Sequence, residues 1–317
     1  MGIPAYFSFV VSNHSNILKK FNNKLFNINN LFIDANSIVY DSVQNLNKNE
    51  EISDIDIDKY ENLLIKKVIE KIKEYIDIIK PDNEVFVAFD GVAPVAKLEQ
   101  QRNRRFKNAF IKNMKLRFLK DYKETWDTTK ITPGTLFMDK LDKQINKFKK
   151  YKNVKKIIIS SSKYVGEGEH KIFDKLRNNS YNNQNTVIYG LDADLIMLTL
   201  NHLKYCKNIY LFRETPHFIK QIAKDIDPNK LYILDIPNFA LILENKLSNN
   251  NLEKNLVNKD ENIIFSKIYD YIFLCFLVGN DFIAHIPCIN IRNNGINHLL
   301  DAYNKVVSKN NDNLIKN

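Results

Sequence analysis

The sequence is short of the residues that most often hold small domains together. Its 317 residues include three cysteines, Cys206, Cys275 and Cys288. None forms a Cys-x-x-Cys pair and none lies near a histidine at zinc spacing, which argues against a zinc site. Cys275 falls inside the apolar run 271–277 and reads as a small buried hydrophobe. No apolar run reaches the roughly 18 residues that a membrane span needs. The amino terminus lacks a basic stretch followed by an apolar core, which argues against a secretory signal. Met1-Gly2-Ile3-Pro4-Ala5-Tyr6 begins as a myristoylation site does, but Tyr6 stands where Ser or Thr is required. An intracellular protein, cytoplasmic rather than nuclear, is the expectation. Glycine and proline number eight each, while Lys, Asn and Ile are abundant, a bias that follows base composition as readily as function.

Positive charge is what the chain has in excess. The net charge is +10 and the pI near 9.2. A basic surface attracts polyanions, so nucleic acid or an anionic membrane is favoured as partner, with simple solubility as the plain alternative. Hydrophobic residues at 44% and charged residues at 26% fit a globular chain with a substantial core.

Five apolar, β-branched runs predict buried strands: 31–33, 85–89, 157–159, 187–189 and 209–212. Between them Leu63, Leu64, Val68, Ile72, Tyr75 and Ile79 recur at helical spacing, and Leu195, Ile196, Leu198 and Leu203 do so more loosely. Strands alternating with helices predict an α/β fold with a mainly parallel central sheet flanked by helices. Polar stretches near 45–58, 178–185 and 245–262 read as loop insertions, because apolar segments resume after each. With no repeat and no clear linker, one domain over 1–317 is expected.

The acids follow the predicted strands. Asp34 comes after the first, Asp90 after the second, Glu167 and Glu169 after the third, Asp192 and Asp194 after the fourth; Asp281 follows an apolar helix. Carboxylates beyond the C-terminal ends of parallel strands converge on one crevice. So many negative charges need cations, and oxygen-only ligands suit Mg²⁺ or Mn²⁺. Two such ions can activate water and stabilise the leaving oxygen in phosphodiester cleavage. A single acid after a strand is often only a helix cap. Repetition at four strand ends in a basic chain favours the metal site. In 190–194 two aspartates stand at i and i+2, where an extended chain projects both to one side. In Gly166-Glu167-Gly168-Glu169-His170 the glycines allow a tight turn, so both carboxylates can face one ion. His170 is expected to support the ligands rather than to be one.

A helix is predicted from Pro94 onward. Gln101, Arg104 and Arg105 lie four, seven and eight residues after Lys97. At about 100° per residue all four share one face about 100° wide. Guanidinium forks, an ammonium and an amide make a pocket for a terminal phosphate; the plain alternative is a solvated basic face.

Several segments together carry a recognisable pattern: Met1-Gly2-Ile3-Pro4, 32–36, Asp90 through Arg105, 131–135, Gly166 through Ile172, Tyr189 through Leu198, and Gly279-Asn280-Asp281-Phe282. They resemble the catalytic core of the eukaryotic Xrn/Rat family of 5′→3′ exoribonucleases. The resemblance implies an α/β fold of the PIN and flap-nuclease type. It implies that the seven acids bind two metal ions and that Lys97, Gln101, Arg104 and Arg105 hold a 5′-monophosphate. It implies single-stranded RNA as substrate and mononucleotides as product. Tyr40 stands where the family usually has a histidine that stacks on the first base, and an aromatic ring can still stack. Family members continue into a second region that encloses the site. Either this is a minimal form, as a viral member would be, or a second protein supplies that wall.

Two rivals remain. One is a flap endonuclease or 5′ exonuclease acting on DNA, with 295–300 weakly similar to the helical hairpin that such enzymes use; the Gln100–Arg105 run favours RNA. The other is a non-catalytic RNA-binding subunit, disfavoured because all seven acids are present. A phosphate pocket closed at its back would also exclude a triphosphate or a cap.

Overall fold

The computed structural model describes residues 3, 5–22, 27–48, 56–119, 126–214, 219–222, 226–227, 230–248, 261–310 and 312–315. They fall into two compact units, Met1–Phe26 with Leu176–Asn317, and Asn27–Lys175.

The first unit opens with helix α1 (Tyr6–Asn13) and strand β1 (Leu18–Lys20). The second unit follows, with β2 (Asn30–Asp34), α2 (Asn36–Asn47), α3 (Ile57–Ile79), β3 (Glu84–Ala88), α4 (Val95–Phe118), α5 (Leu136–Ile145), β4 (Lys156–Ser160) and α6 (Gly168–Arg177). The chain then completes the first unit with β5 (Thr186–Tyr189), α7 (Asp194–Asn201), β6 (Ile209–Arg213), α8 (Ile219–Ile222), β7 (Tyr232–Asp235), α9 (Ile236–Leu247), α10 (Glu261–Phe276) and α11 (Gly295–Val306).

In the second unit β2 pairs in parallel with β3, and β3 with β4, in the register Leu31↔Val85↔Ile157. Every residue of β2 and β3 is buried, so both faces of these strands are covered, which is what uninterrupted apolar runs in a parallel sheet require. Helix α3 buries Leu64, Val68, Ile72, Tyr75 and Ile79 along one stripe. Asp56 caps its start, accepting the Asp58 amide at 3.2 Å. The result is the α/β layering that strand–helix alternation predicted.

In the first unit β5 and β6 are parallel, whereas β7 runs antiparallel to β6 and β1 antiparallel to β7. Neither β1 nor β7 was among the predicted strands. β1 is three residues with two lysines, and β7 is four residues whose last, Asp235, caps α9 by accepting the Asn238 amide at 3.1 Å. Neither offers the apolar run that marks the other five. Buried Tyr6 and Tyr271 join hydroxyl to hydroxyl at 2.9 Å, tying α1 to α10. Cys275 is fully buried and its thiol is pushed up to about 12 by that burial. Residues 178–185 form turns between α6 and β5. Of the other two polar stretches, 49–55 and 249–260 lie outside the described residues. Among the described residues no helix is long and apolar enough to cross a membrane.

Candidate active site

The acids of the second unit sit where strands hand over to the next element. Asp34 is the last residue of β2, Asp90 lies two residues past β3, and Glu167 immediately precedes α6. The chain turns at Gly166, whose φ of 93° suits glycine. The Gly168 amide then donates to Asp90 Oδ1 at 2.7 Å. A Cβ at position 168 would stand 2.5 Å from Asp34 Oδ1 and 3.1 Å from the Ala88 carbonyl oxygen. Glycine is what lets the first turn of α6 close on both aspartates. Asn36, the first residue of α2, donates from Nδ2 to Asp90 Oδ2 at 2.6 Å and accepts the Asp90 amide on Oδ1 at 3.1 Å. The glutamates complete the group. Ligand atoms of Glu167, Glu169 and His170 all lie within 4.8 Å of one another.

Electrostatics make this group one that suits a cation. Asp34 and Glu167 are buried. Burial pushes the Asp90 carboxyl above its ordinary range and the neighbouring Glu167 charge adds to it, against the Gly168 amide and the cations of Lys97 and Lys171. Crowded, desolvated carboxylates with no sulfur among them are the donor set of a hard divalent ion such as Mg²⁺ or Mn²⁺. The residues present therefore fit such an ion. His170 Nδ1 stands 3.5 Å from Glu167 Oε2.

Helix α4 follows Asp90 by one short turn and carries the basic face. None of its residues is buried. Gln101, Arg104 and Arg105 line a cavity of about 320 Å³ together with Asn36, Tyr40 and Asp90. The segment Ile131-Thr132-Pro133 borders the same cavity. Lys97 stands apart from these three, its ammonium 2.7 Å from Glu167 Oε1. It shares their helix face but spends its charge on the acid group. The Tyr40 phenol is raised by burial, with Arg104 and Arg105 opposing the rise.

The first unit holds the other three acids. Asp192 follows β5, Asp194 opens α7, and Asp281 follows α10. They are neighbours: burial raises the Asp194 carboxyl, and the charges of Asp281 and Asp192 push it the same way. The Ile3 amide donates to Asp194 Oδ1 at 3.2 Å, so the amino-terminal segment touches the acid group. Arg213, at the end of β6, lies 3.9 Å over the Phe7 ring and gives Asp192 a nearby positive charge.

A family model described as XRN 5′-3′ exonuclease N-terminus matches residues 1–215. The chain belongs to the XRN family. That XRN match takes in six of the seven acids and the whole basic face of α4. A second model, the Xrn1 helical domain, matches residues 245–317 and includes Asp281. Among curated relatives, the 5′-3′ exoribonuclease 2 of Kluyveromyces lactis is 30% identical, with 89% of this chain and 32% of that protein covered. The 5′-3′ exoribonuclease 1 of Schizosaccharomyces pombe is 31% identical, with 97% and 24% covered. The 5′-3′ exoribonuclease 2 of Gallus gallus is 27% identical, with 98% and 39% covered. This XRN chain thus spans about a quarter to two fifths of the length of these relatives.

Three residues of the XRN chain act at the acids without having been assigned from sequence. Asn36 clasps Asp90, and Arg213 faces Asp192. Lys171 Nζ donates to the carbonyls of Phe89 at 2.7 Å and Ser161 at 3.0 Å, bracing the turns that follow β3 and β4. An asparagine and a lysine have no spacing signature. Only their place inside quoted motifs, 32–36 and 166–172, pointed toward them.

Proposed function

We propose that this chain hydrolyses single-stranded RNA from a 5′-monophosphate end, releasing mononucleotides, with two divalent ions, Mg²⁺ or Mn²⁺. The observation that carries the reading is the cavity in which Gln101, Arg104, Arg105 and Tyr40 face the same space as Asp90. A terminal phosphate carries more charge than an internal one, and two guanidinium groups beside an amide suit it. Seating the end there sets the next phosphodiester toward the acids, so cutting starts at the end. The Tyr40 ring stacks on the first base.

The metal ligands in this proposal are Asp34, Asp90, Glu167 and Glu169 of one unit and Asp192, Asp194 and Asp281 of the other, which act as one nuclease domain. When bound, the ions supply an activated water and stabilise the departing 3′-oxygen. Gly168 and Asn36 fix both Asp90 oxygens, and Lys97 balances the Glu167 charge. RNA is supported over DNA by the family membership and by the relatives' names.

The test is a set of matched RNAs bearing 5′-monophosphate or 5′-hydroxyl, with a DNA of the same sequence, incubated in Mg²⁺ and resolved by size. Mononucleotide release is expected from 5′-monophosphate RNA, at least about tenfold faster than from 5′-hydroxyl RNA, since each charge-assisted hydrogen bond lost costs about 1.5–3 kcal/mol. Asp192→Ala with Asp194→Ala should abolish it and leave RNA binding. Activity persisting in excess EDTA would sink the metal reading, and equal rates on both ends would sink the pocket.

A further inference from the structure

The phosphate cavity is not the end of the basic face. At about 100° per residue, Gln101, Arg104, Arg105, Asn108, Lys112 and Lys115 all fall within about 100° of the circumference of α4. Beyond Asn108 the same face lines a second cavity of about 430 Å³, with Lys112 and Lys115 on the helix side and Trp126 opposite. Asn108, Thr128 and Thr129 border both cavities, so the two adjoin across small polar side chains. The condition for excluding a longer 5′ group, a pocket closed at its back, is not met.

From this continuity we propose that the chain accepts RNA with a 5′-triphosphate, seating the α-phosphate at Arg104 and Arg105 and the β- and γ-phosphates toward Lys112 and Lys115. The inference rests on the 5′-phosphate pocket proposed above. Seven residues separate Arg105 from Lys112, a rise of about 10 Å along the helix. Two further phosphates and a lysine side chain bridge that distance from opposite ends. Asp127 also borders the second cavity and opposes an anion there. Its carboxylate is engaged, accepting the Thr129 amide at 2.9 Å and facing Lys112. Two lysines against one aspartate leave the cavity positive.

The reaction balances as a single hydrolysis. Water attacks the phosphorus between the first two nucleotides, and the bond to the 3′-oxygen of the first nucleotide breaks. That oxygen leaves with a proton as a 3′-hydroxyl. The products are a nucleoside 5′-triphosphate and an RNA with a new 5′-monophosphate, which then enters the ordinary cycle.

The experiment uses the full chain and one RNA sequence with three ends: triphosphate labelled at the γ-phosphate, monophosphate and hydroxyl. The label is expected to leave as nucleoside triphosphate, at a rate within about tenfold of the monophosphate RNA, a difference of about 1.4 kcal/mol or less. Lys112→Ala with Lys115→Ala should slow triphosphate RNA by about tenfold or more and leave monophosphate RNA unchanged. Binding of the three RNAs without divalent ions, followed by fluorescence anisotropy, should show the same selective loss in the double variant. A triphosphate RNA cut far more slowly than monophosphate RNA, label released as free phosphate or pyrophosphate, or a double variant that affects neither RNA or both alike, would overturn the inference and leave the pocket standing. Hydroxyl RNA bound and cut as well as both phosphorylated RNAs would overturn the pocket itself, and the inference with it.

Discussion

Asn36 holds Asp90 by two hydrogen bonds, one to the carboxylate at 2.6 Å and one from the backbone amide at 3.1 Å. With the Gly168 amide on the other carboxylate oxygen, Asp90 has one orientation available to it.

Asn36→Ala should therefore lower kcat by about 10–10²-fold while changing the KM for 5′-monophosphate RNA little, because a misplaced reacting group costs rate before affinity. Steady-state kinetics at several Mg²⁺ concentrations check this. A variant with unchanged kcat would show that Asp90 needs no such support.

Gly168→Ala tests the closest approach in the acid group. The added methyl meets Asp34 Oδ1 and the Ala88 carbonyl. Activity should fall about 10²-fold or more, since displacement of about 1 Å at a reacting centre is enough for that. The circular dichroism spectrum should be unchanged.

Tyr40 is expected to act through its ring. Tyr40→Phe should be nearly silent, and Tyr40→Ala should lose about 1–3 kcal/mol of substrate interaction. Equal large losses in both would assign the role to the hydroxyl, which shares the cavity with Arg104 and Asp90.

His14 gives a pH signature remote from the acids. It is buried against the Phe239 ring, 5.3 Å between centroids, and burial with Lys246 nearby lowers its pKa from 6.5 to about 4. Folded His14 stays neutral where unfolded His14 takes a proton. Stability is therefore complete above pH 6.5 and declines as pH falls toward 4. The melting temperature of the wild type should drop more steeply from pH 7 to 5 than that of His14→Phe. Parallel curves would remove His14 as the cause.

How much of this was readable beforehand depended on the kind of signal. β2 and β3 are buried on both faces and so carry unbroken apolar runs; β1 and β7 are short edge pieces whose partners, not whose residues, make them strands. The acids were legible because they recur after strands and, at 166–170, alternate with glycine. The grouping of Asp34 with Asp90 and Glu167 was anticipated, but its cause, a missing side chain at 168, needed coordinates. Helical spacing placed Lys97 on one face with Arg104 and Arg105, yet spacing says nothing of partners. Glu167 takes the lysine at 2.7 Å. Nor could periodicity reveal that the basic face continues to a second cavity, since that depends on where Trp126 and Thr128 return to the helix.

Helix α4 has 24 residues and buries none of them. It lacks the packed stripe that secures α3, and helices of about this length held only by their own hydrogen bonds are marginal in water. Its backbone amides should exchange with deuterium orders of magnitude faster than those of α3. A 5′ end gripped by Gln101, Arg104 and Arg105 spans successive turns and must immobilise them. Part of the interaction energy then goes into ordering the helix, so the free chain holds RNA ends more weakly than a rigid pocket would. Any contact that steadies α4 would raise its affinity for RNA ends without touching a ligand-binding residue.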